Sequence, residues 1–428
     1  MRAIKPAVAF FAALAVWACC AAIPALATTV GGLSTSTTGP FALLGGRLFT
    51  PVFLTNNAGE GFPGPGPPPT EMTTELQSLA AGKHGERTLT LDASTTGSAP
   101  PAIAARDGRL ATAWVGVHGL QTAFVTANGA ALRSPLAVPA SGAIGGYEVA
   151  IASTGARAVL WLDSLGVRLQ SISSAGVPAA PVTLAAGASR YYSLNSDDAG
   201  GWWVLWIAGT RLLAADVAAD GTTATPIDLG AAPVHAEGAR VLHPRLWSVI
   251  ADGKGGVWVV LTGVLLHVGV TGVSQRHTAR MQIVAEGDRR TSLAEEIGAG
   301  GILVRPLGRA GRALRLRNLG SLLDLAYDDS RQRTELLTAV TRGSVELTTL
   351  SGSGHVSSVL VRGCPRAGTG ELVAHAGLVG VACAGRPFEA ESVETGGDFE
   401  GGRYVHYYLL HEGRRIGGEG LFEGLHAY

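Results

Sequence analysis

Short apolar runs closed by Asp- and Gly-rich turns recur along most of the chain, and the stretch from Tyr191 to Gly221 shows the pattern best. Its apolar runs are Trp202–Ala208 and Leu212–Val217, with Asp-Asp-Ala-Gly-Gly before the first and Ala-Asp-Gly after the second. Runs of this kind are hairpin signals, because Asp and Gly tolerate the backbone angles of tight turns. The stretch therefore predicts three short strands joined by two turns.

Copies of it organise the chain from Arg87 onward. Trp114, Trp161, Trp206, Leu261 and Pro306 hold the same relative place, at intervals of 47, 45, 55 and 45 residues. Asp197-x-x-Gly200-Gly201-x-Trp203 and Asp252-x-x-Gly255-Gly256-x-Trp258 match position for position, and Gly300-Gly301 continues the series. A fourth short run, such as Pro181-Val182-Thr183-Leu184, follows each unit's third strand. Four short strands at this period mark a β-propeller blade. Units fall near residues 101–140, 147–186, 191–231, 245–284, 291–320, 322–363 and 371–410. The expectation is an all-β propeller of four-stranded blades, seven in number, with six as the alternative.

The turn Asp-x-x-Gly-Gly-Val-Trp resembles that of bacterial propellers of the two-component-regulator and virginiamycin-lyase type. That resemblance implies the fold. Some members of the group are sensors and one is a magnesium-dependent lyase, but no motif here matches that lyase's His/Glu site. Ser196-x-Asp198-x-Gly200-x-x-Trp203 also fits the sialidase Asp-box. It falls between the first and second strands of its unit instead of the third and fourth, and the Arg-Ile-Pro element is missing, so a sialidase is set aside.

Ahead of the repeats, Met1–Ala27 reads as an export signal: Arg2 and Lys5, an apolar core over Ala7–Ala22, and Ala25-Leu26-Ala27 for cleavage. The apolar run is short for a membrane span. Residues 28–86 read as an extension, with a hairpin about Gly45-Gly46, a Gly/Pro-rich linker over Asn56–Thr70 and a short helix over Glu71–Ala81. The propeller then occupies residues 87–428, and Arg87–Asp92 is expected to close the ring as the outer strand of the last blade, with Tyr404–Leu410 as its competitor. Export leaves Cys364 and Cys383 as the only cysteines in an oxidising compartment, where pairing is expected. The predicted location is secreted, periplasmic or at the cell surface.

Composition narrows the function classes. The 428 residues are 46% hydrophobic and 15% charged with a formal net charge of +0, which excludes a disordered or nucleic-acid-coating chain. Lysine occurs only at Lys5, Lys83 and Lys254. Arginine is thus the working cation, and its guanidinium suits carboxylate, sulfate or phosphate. The Asp/Gly turns lack the alternating carboxylates of a calcium loop and no His or Cys spacing suits zinc, so no cofactor or metal is expected.

Sorted by face, loops entering the blades and those joining second and third strands hold His118, Asp163, Arg190, Tyr191, His235, Glu237, Arg240, His243, Arg289, Arg290, Arg309, Arg312 and Arg342. The opposite face collects Asp107, Asp197, Asp198, Asp220 and Asp252. Ligand-binding residues are therefore expected at Arg190, His235, Arg240, His243, Arg289, Arg290, Arg309 and Arg312, for an anionic glycan or a protein. The favoured class is a monomeric, non-catalytic binding module. The rival is a propeller lyase or glycosidase acting on an envelope or extracellular polymer.

Overall fold

A computed structural model describes residues 33–36, 41–56, 71–81, 87–93, 100–187, 192–232, 248–261, 263–278, 282–285, 291–297, 301–307, 312–340, 344–362, 364, 370–388, 402–416 and 420–424. Among these residues the strands form eight antiparallel sheets, each running from a first, inner strand to a fourth, outer one. The protein is an eight-bladed β-propeller, not a seven- or six-bladed one.

Blade 2 is built from Ala102–Arg106, Arg109–Gly116, Gly119–Val125 and Leu132–Ala137. Blade 3 is built from Gly146–Ile151, Arg157–Asp163, Gly166–Ile172 and Val182–Ala185, and blade 4 from Tyr192–Ser196, Trp202–Ala208, Arg211–Val217 and Ile227–Ala231. Blade 5 holds Ser248–Ala251, Val257–Leu261, Val264–Gly269 and Gly272–Thr278. Blade 6 opens on Gln282–Ala285 and continues through Thr291–Glu296, Ile302–Leu307 and Leu314–Leu316, so it begins one strand earlier than the sequence pattern suggests. Blade 7 spans Ser321–Asp328 to Val356–Val361, and blade 8 starts at Gly370–His375.

The additional blade, blade 1, comes from the N-terminal segments. Arg47–Asn56 pairs along its whole length with Glu71–Ala80, which pairs in turn with Arg87–Asp92. On its other side Arg47–Asn56 meets Ala42–Leu44 at one end and Leu33–Ser36 at the other. Pro51, which has no N–H to give, falls in the gap between those two partners, where a strand proline is tolerated. Arg87–Asp92 is thus the outer strand of blade 1 and does not clasp blade 8. Glu71–Ala80 is a strand and not a helix. Its buried positions Thr74, Leu76 and Ser78 alternate, but two of them are polar, which hides the period-2 signal.

Blade 8 is completed from the C-terminal side. Gly402–His411, which contains the competing Tyr404–Leu410 segment, is its third strand, and Arg414–Arg415 and Gly420–Gly424 both pair outside it. The ring closes through packing. Eight apolar clusters fill the eight seams between neighbouring blades, and the closing one sets Phe41, Leu43 and Leu48 of blade 1 against Tyr407 and Leu409 of blade 8. Because both faces of a blade are covered, second strands such as Trp202–Ala208 read as unbroken apolar runs. Trp202, Val204 and Trp206 pack toward blade 3, while Trp203 and Leu205 pack toward blade 5.

Cys364 and Cys383 are bonded, with α-carbons 5.5 Å apart, and tie the segment before blade 8 to its second strand. Both are fully buried in the seam between blades 7 and 8. Closing this loop stabilises the fold by about 3 kcal/mol in the chain-entropy view. No helix among the described residues is long and apolar enough to cross a membrane.

Candidate functional site

Polar side chains concentrate in three places: along the inner strands and at the two ends of the ring. On the inner strands they join neighbouring blades. Glu148 Oε2 accepts from Leu194 N at 2.8 Å and Asp324 Oδ2 from Leu372 N at 2.6 Å, and Glu296 Oε1, at the end of the second strand of blade 6, accepts from Leu322 N at 2.8 Å. Asn195 donates to Val249 O in the same manner. Each bond crosses one seam, so these groups fix the angle between blades.

At the entry end, where outer strands lead into the next blade, Asp163 acts as a hub. Its carboxylate accepts from Ser141 N at 2.9 Å, Trp161 Nε1 at 2.8 Å, Leu165 N at 2.8 Å and Arg168 Nη1 at 3.2 Å. Burial alone would push Asp163 up, but these four donors outweigh it and hold the carboxyl below its usual range. Asp92 Oδ2 plays a similar part, accepting from Val117 N at 2.9 Å across the seam from blade 1 to blade 2. His118 stands exposed in the adjoining turn.

At the opposite end lie Asp107, Asp197, Asp198, Asp220 and Asp252, in first-to-second or third-to-fourth turns, as the face sorting expects. Asp197 Oδ1 accepts from the amides of Ala199, Gly200 and Gly201. Asp252 Oδ1 accepts from Lys254 N and Gly256 N, and its Oδ2 pairs with His267 Nε2 at 2.8 Å. Most of these aspartates serve their own turns. The face is not purely acidic, because Arg106 reaches from blade 2 to Asp198 of blade 4 at 2.5 Å.

Two carboxyls depart from that pattern. Asp216 lies across the sheet from Trp203, and burial together with the negative Asp197 pushes it up to about 6. Glu335, on the second strand of blade 7, is 4% exposed and accepts from Thr349 Oγ1 at 2.6 Å. Burial raises it to about 7, with Asp328 adding to the effect and the Thr349 bond and Arg333 opposing it. Neither residue is among the sequence candidates, since the signal lies in cross-strand register and not in a loop motif.

Of the expected ligand-binding residues, Arg190, His235, Arg240, His243, Arg289, Arg290 and Arg309 lie outside the described residues. Arg312 is described and exposed, two residues before the fourth strand of blade 6. No group of three or more His, Cys, Asp or Glu suited to a metal occurs among the described residues.

No protein-family model and no curated protein matches the chain. Among solved structures it is similar to apo AztD from Citrobacter koseri, at 10% identity and a TM-score of 0.45, covering 92% of this chain and 96% of that one. It is also similar to the dihydro-heme d1 dehydrogenase NirN, at 12% identity and a TM-score of 0.43, covering 76% and 66% of the two chains. BBS1N, solved in complex with ARL6DN, aligns at 15% identity and a TM-score of 0.36 over 69% of this chain and 88% of that one.

Proposed function

We propose that the protein is an exported binding module that holds an anionic glycan or peptide on the entry end of its ring. The observation that supports this most is the connection between blades 4 and 5. Residues 232–247 separate the outer strand Ile227–Ala231 from the inner strand Ser248–Ala251, and they carry His235, Arg240 and His243. Entry connections elsewhere are shorter, such as residues 138–145 and 186–191, the latter carrying Arg190. Long connections on a rigid scaffold are where binding residues concentrate.

Blade 6 starts at Gln282–Ala285, which narrows the candidate set. Arg289 and Arg290 then fall between a first and a second strand, and Arg309 and Arg312 between a third and a fourth. On this reading Arg190, His235, Arg240 and His243 form the recognition set, and the other four arginines belong to the opposite end. The test is a binding screen against acidic and neutral glycans at low and high salt, with Arg240→Ala/His243→Ala as the control variant. Binding of acidic glycans that weakens with salt and is lost in the variant supports the reading. Equal binding of neutral glycans, or binding unchanged in the variant, ends it.

A further inference from the structure

The seam between blades 2 and 3 buries a positive charge without a negative one. Arg157 opens the second strand of blade 3 and is 1% exposed. Its Cζ lies 4.6 Å from the centre of the Phe124 ring, and Nη2 donates to Ser134 O at 3.0 Å. Nε and Nη1 are buried with no partner among the described residues. A buried guanidinium with idle donors is costly unless something accepts from it. Burial pushes Arg157 down from its usual range, and no neighbouring carboxylate opposes that.

More positive charge gathers at the same place. Arg133 pairs across the sheet with Phe124, so its side chain leaves the same face of blade 2 that covers Arg157. Arg109, two residues before Ala111 of that face, lies against the Gly155 turn of blade 3, where a β-carbon would collide with its guanidinium. Both arginines are exposed, and neither has an ion-pair partner among the described residues. The sequence from residue 108 to 147 contains no Asp or Glu. Among the described residues, an idle acceptor on this face of blade 3 is Gln170 Oε1, whose residue pairs with Val159 two positions along from Arg157.

We propose that this seam seats a compact anion, chloride or the carboxylate of a small ligand, on Arg157, with Arg109 and Arg133 guarding its entrance. The site lies at the end of the ring opposite residues 232–247 and stands apart from the glycan reading. The rival occupant is a water bridging Arg157 to Gln170, which would be indifferent to anions.

Chlorine-35 NMR line widths of the mature full chain, in buffer free of other small anions, separate the two. Wild type should give excess broadening that Arg157→Met lowers about tenfold and Arg109→Ala/Arg133→Ala lowers several-fold. Circular dichroism checks that each variant is folded, and the exposed double variant decides the matter if Arg157→Met is not. Acetate that displaces chloride assigns the seat to a carboxylate; a seat closed to acetate assigns it to chloride itself. No excess broadening in wild type, or broadening unchanged in the folded variants, overturns the proposal. The glycan screen reads the other end of the ring, so the two readings fail separately.

Discussion

Blades 4 and 5 carry the same turn and differ in one residue behind it. In both, an aspartate caps an Asp-x-x-Gly-Gly turn and a tryptophan follows two residues later. The residue opposite that tryptophan on the third strand is Asp216 in blade 4 and His267 in blade 5. In blade 5, burial would raise Asp252, but His267 Nε2 and the amides of Lys254 and Gly256 outweigh it and lower the carboxyl. His267 also stacks against Trp258, ring centres 4.4 Å apart, and is held by Ser274 Oγ at 2.6 Å. In blade 4 the same slot sets one carboxyl near another, and Asp216 keeps its proton to about 6. The turn is therefore the element that the repeat preserves, while the group behind it decides whether the turn's carboxylate gains a hydrogen-bond partner or faces a second carboxyl.

The largest contrast is expected at the tryptophans. Trp203 is fully buried and donates from Nε1 to Gly255 O at 3.1 Å, joining blade 4 to blade 5. Trp258 is 7% exposed and packs in the seam to blade 6. Trp203→Ala should cost about 4 kcal/mol, in the middle of the range for such truncations, and Trp258→Ala about 3 kcal/mol. Urea midpoints at pH 7 measure both. A larger loss at Trp258 would show that the bond between the blades does not couple them.

Next comes exchange of the distinguishing residue. His267→Asp makes blade 5 a copy of blade 4, removing the hydrogen bond to Asp252 and adding a carboxylate. The loss should be about 2 kcal/mol at pH 8 and smaller at pH 5, where the new acid is protonated. Asp216→His does the reverse and should stabilise by about 1 kcal/mol at pH 8. Destabilisation by both exchanges at both pH values would mean that packing against the tryptophan, not charge, sets the slot.

How much of this was legible beforehand follows from where the signal sits. The turn and the tryptophan lie within seven residues of one another, so the matching stretches at Asp197 and Asp252 are visible in the sequence. Asp216 and His267 are displaced along the chain, and only the strand register brings them opposite Trp203 and Trp258. Blade 1 was hidden for a different reason. Its long strands lack the Asp/Gly turn, and Thr74 and Ser78 occupy inward positions that a hydrophobic count passes over. The disulfide followed from the cysteine inventory and an expectation of export. Arg157 looked like one more arginine, because burial without a counter-charge is a property of the seam and not of the sequence.

A smaller effect concerns pH. Asp216 and Glu335 hold their protons more tightly in the folded chain than in the unfolded one, so stability falls as pH rises from about 4 to about 7 and levels off above. Asp163 and Asp252 act in the opposite sense, contributing stability that is lost as pH falls below about 4. Melting temperature should therefore peak near pH 4. Glu335→Gln, which keeps the bond to Thr349 as a neutral pair, should flatten the decline between pH 5 and 8. Asp216→Asn should do so less, since Asp216 is only partly buried. A melting temperature that climbs steadily from pH 5 to pH 8 would contradict the raised values.

The smallest expected effect is a difference near zero, and it tests whether the two turns are the same object. A β-carbon on Gly201 would lie 2.8 Å from Val217 O and 2.8 Å from Asp197 Oδ2. On Gly256 it would lie 2.8 Å from Val268 O and 2.7 Å from Asp252 Oδ2. The carbonyl in each case belongs to the third strand and cannot retreat without opening the sheet, so either alanine forces a backbone shift costing about 2 kcal/mol. The carboxylates differ in freedom, because Asp252 is held by His267 and Asp197 has no such tether. If the carbonyl sets the cost, Gly201→Ala and Gly256→Ala should agree within about 0.5 kcal/mol in urea unfolding. A Gly256→Ala loss exceeding the other by 1 kcal/mol or more, about the size of a single hydrogen bond, would place the strain on the carboxylate, and the His267 pairing would then reach into the turn that the two blades share.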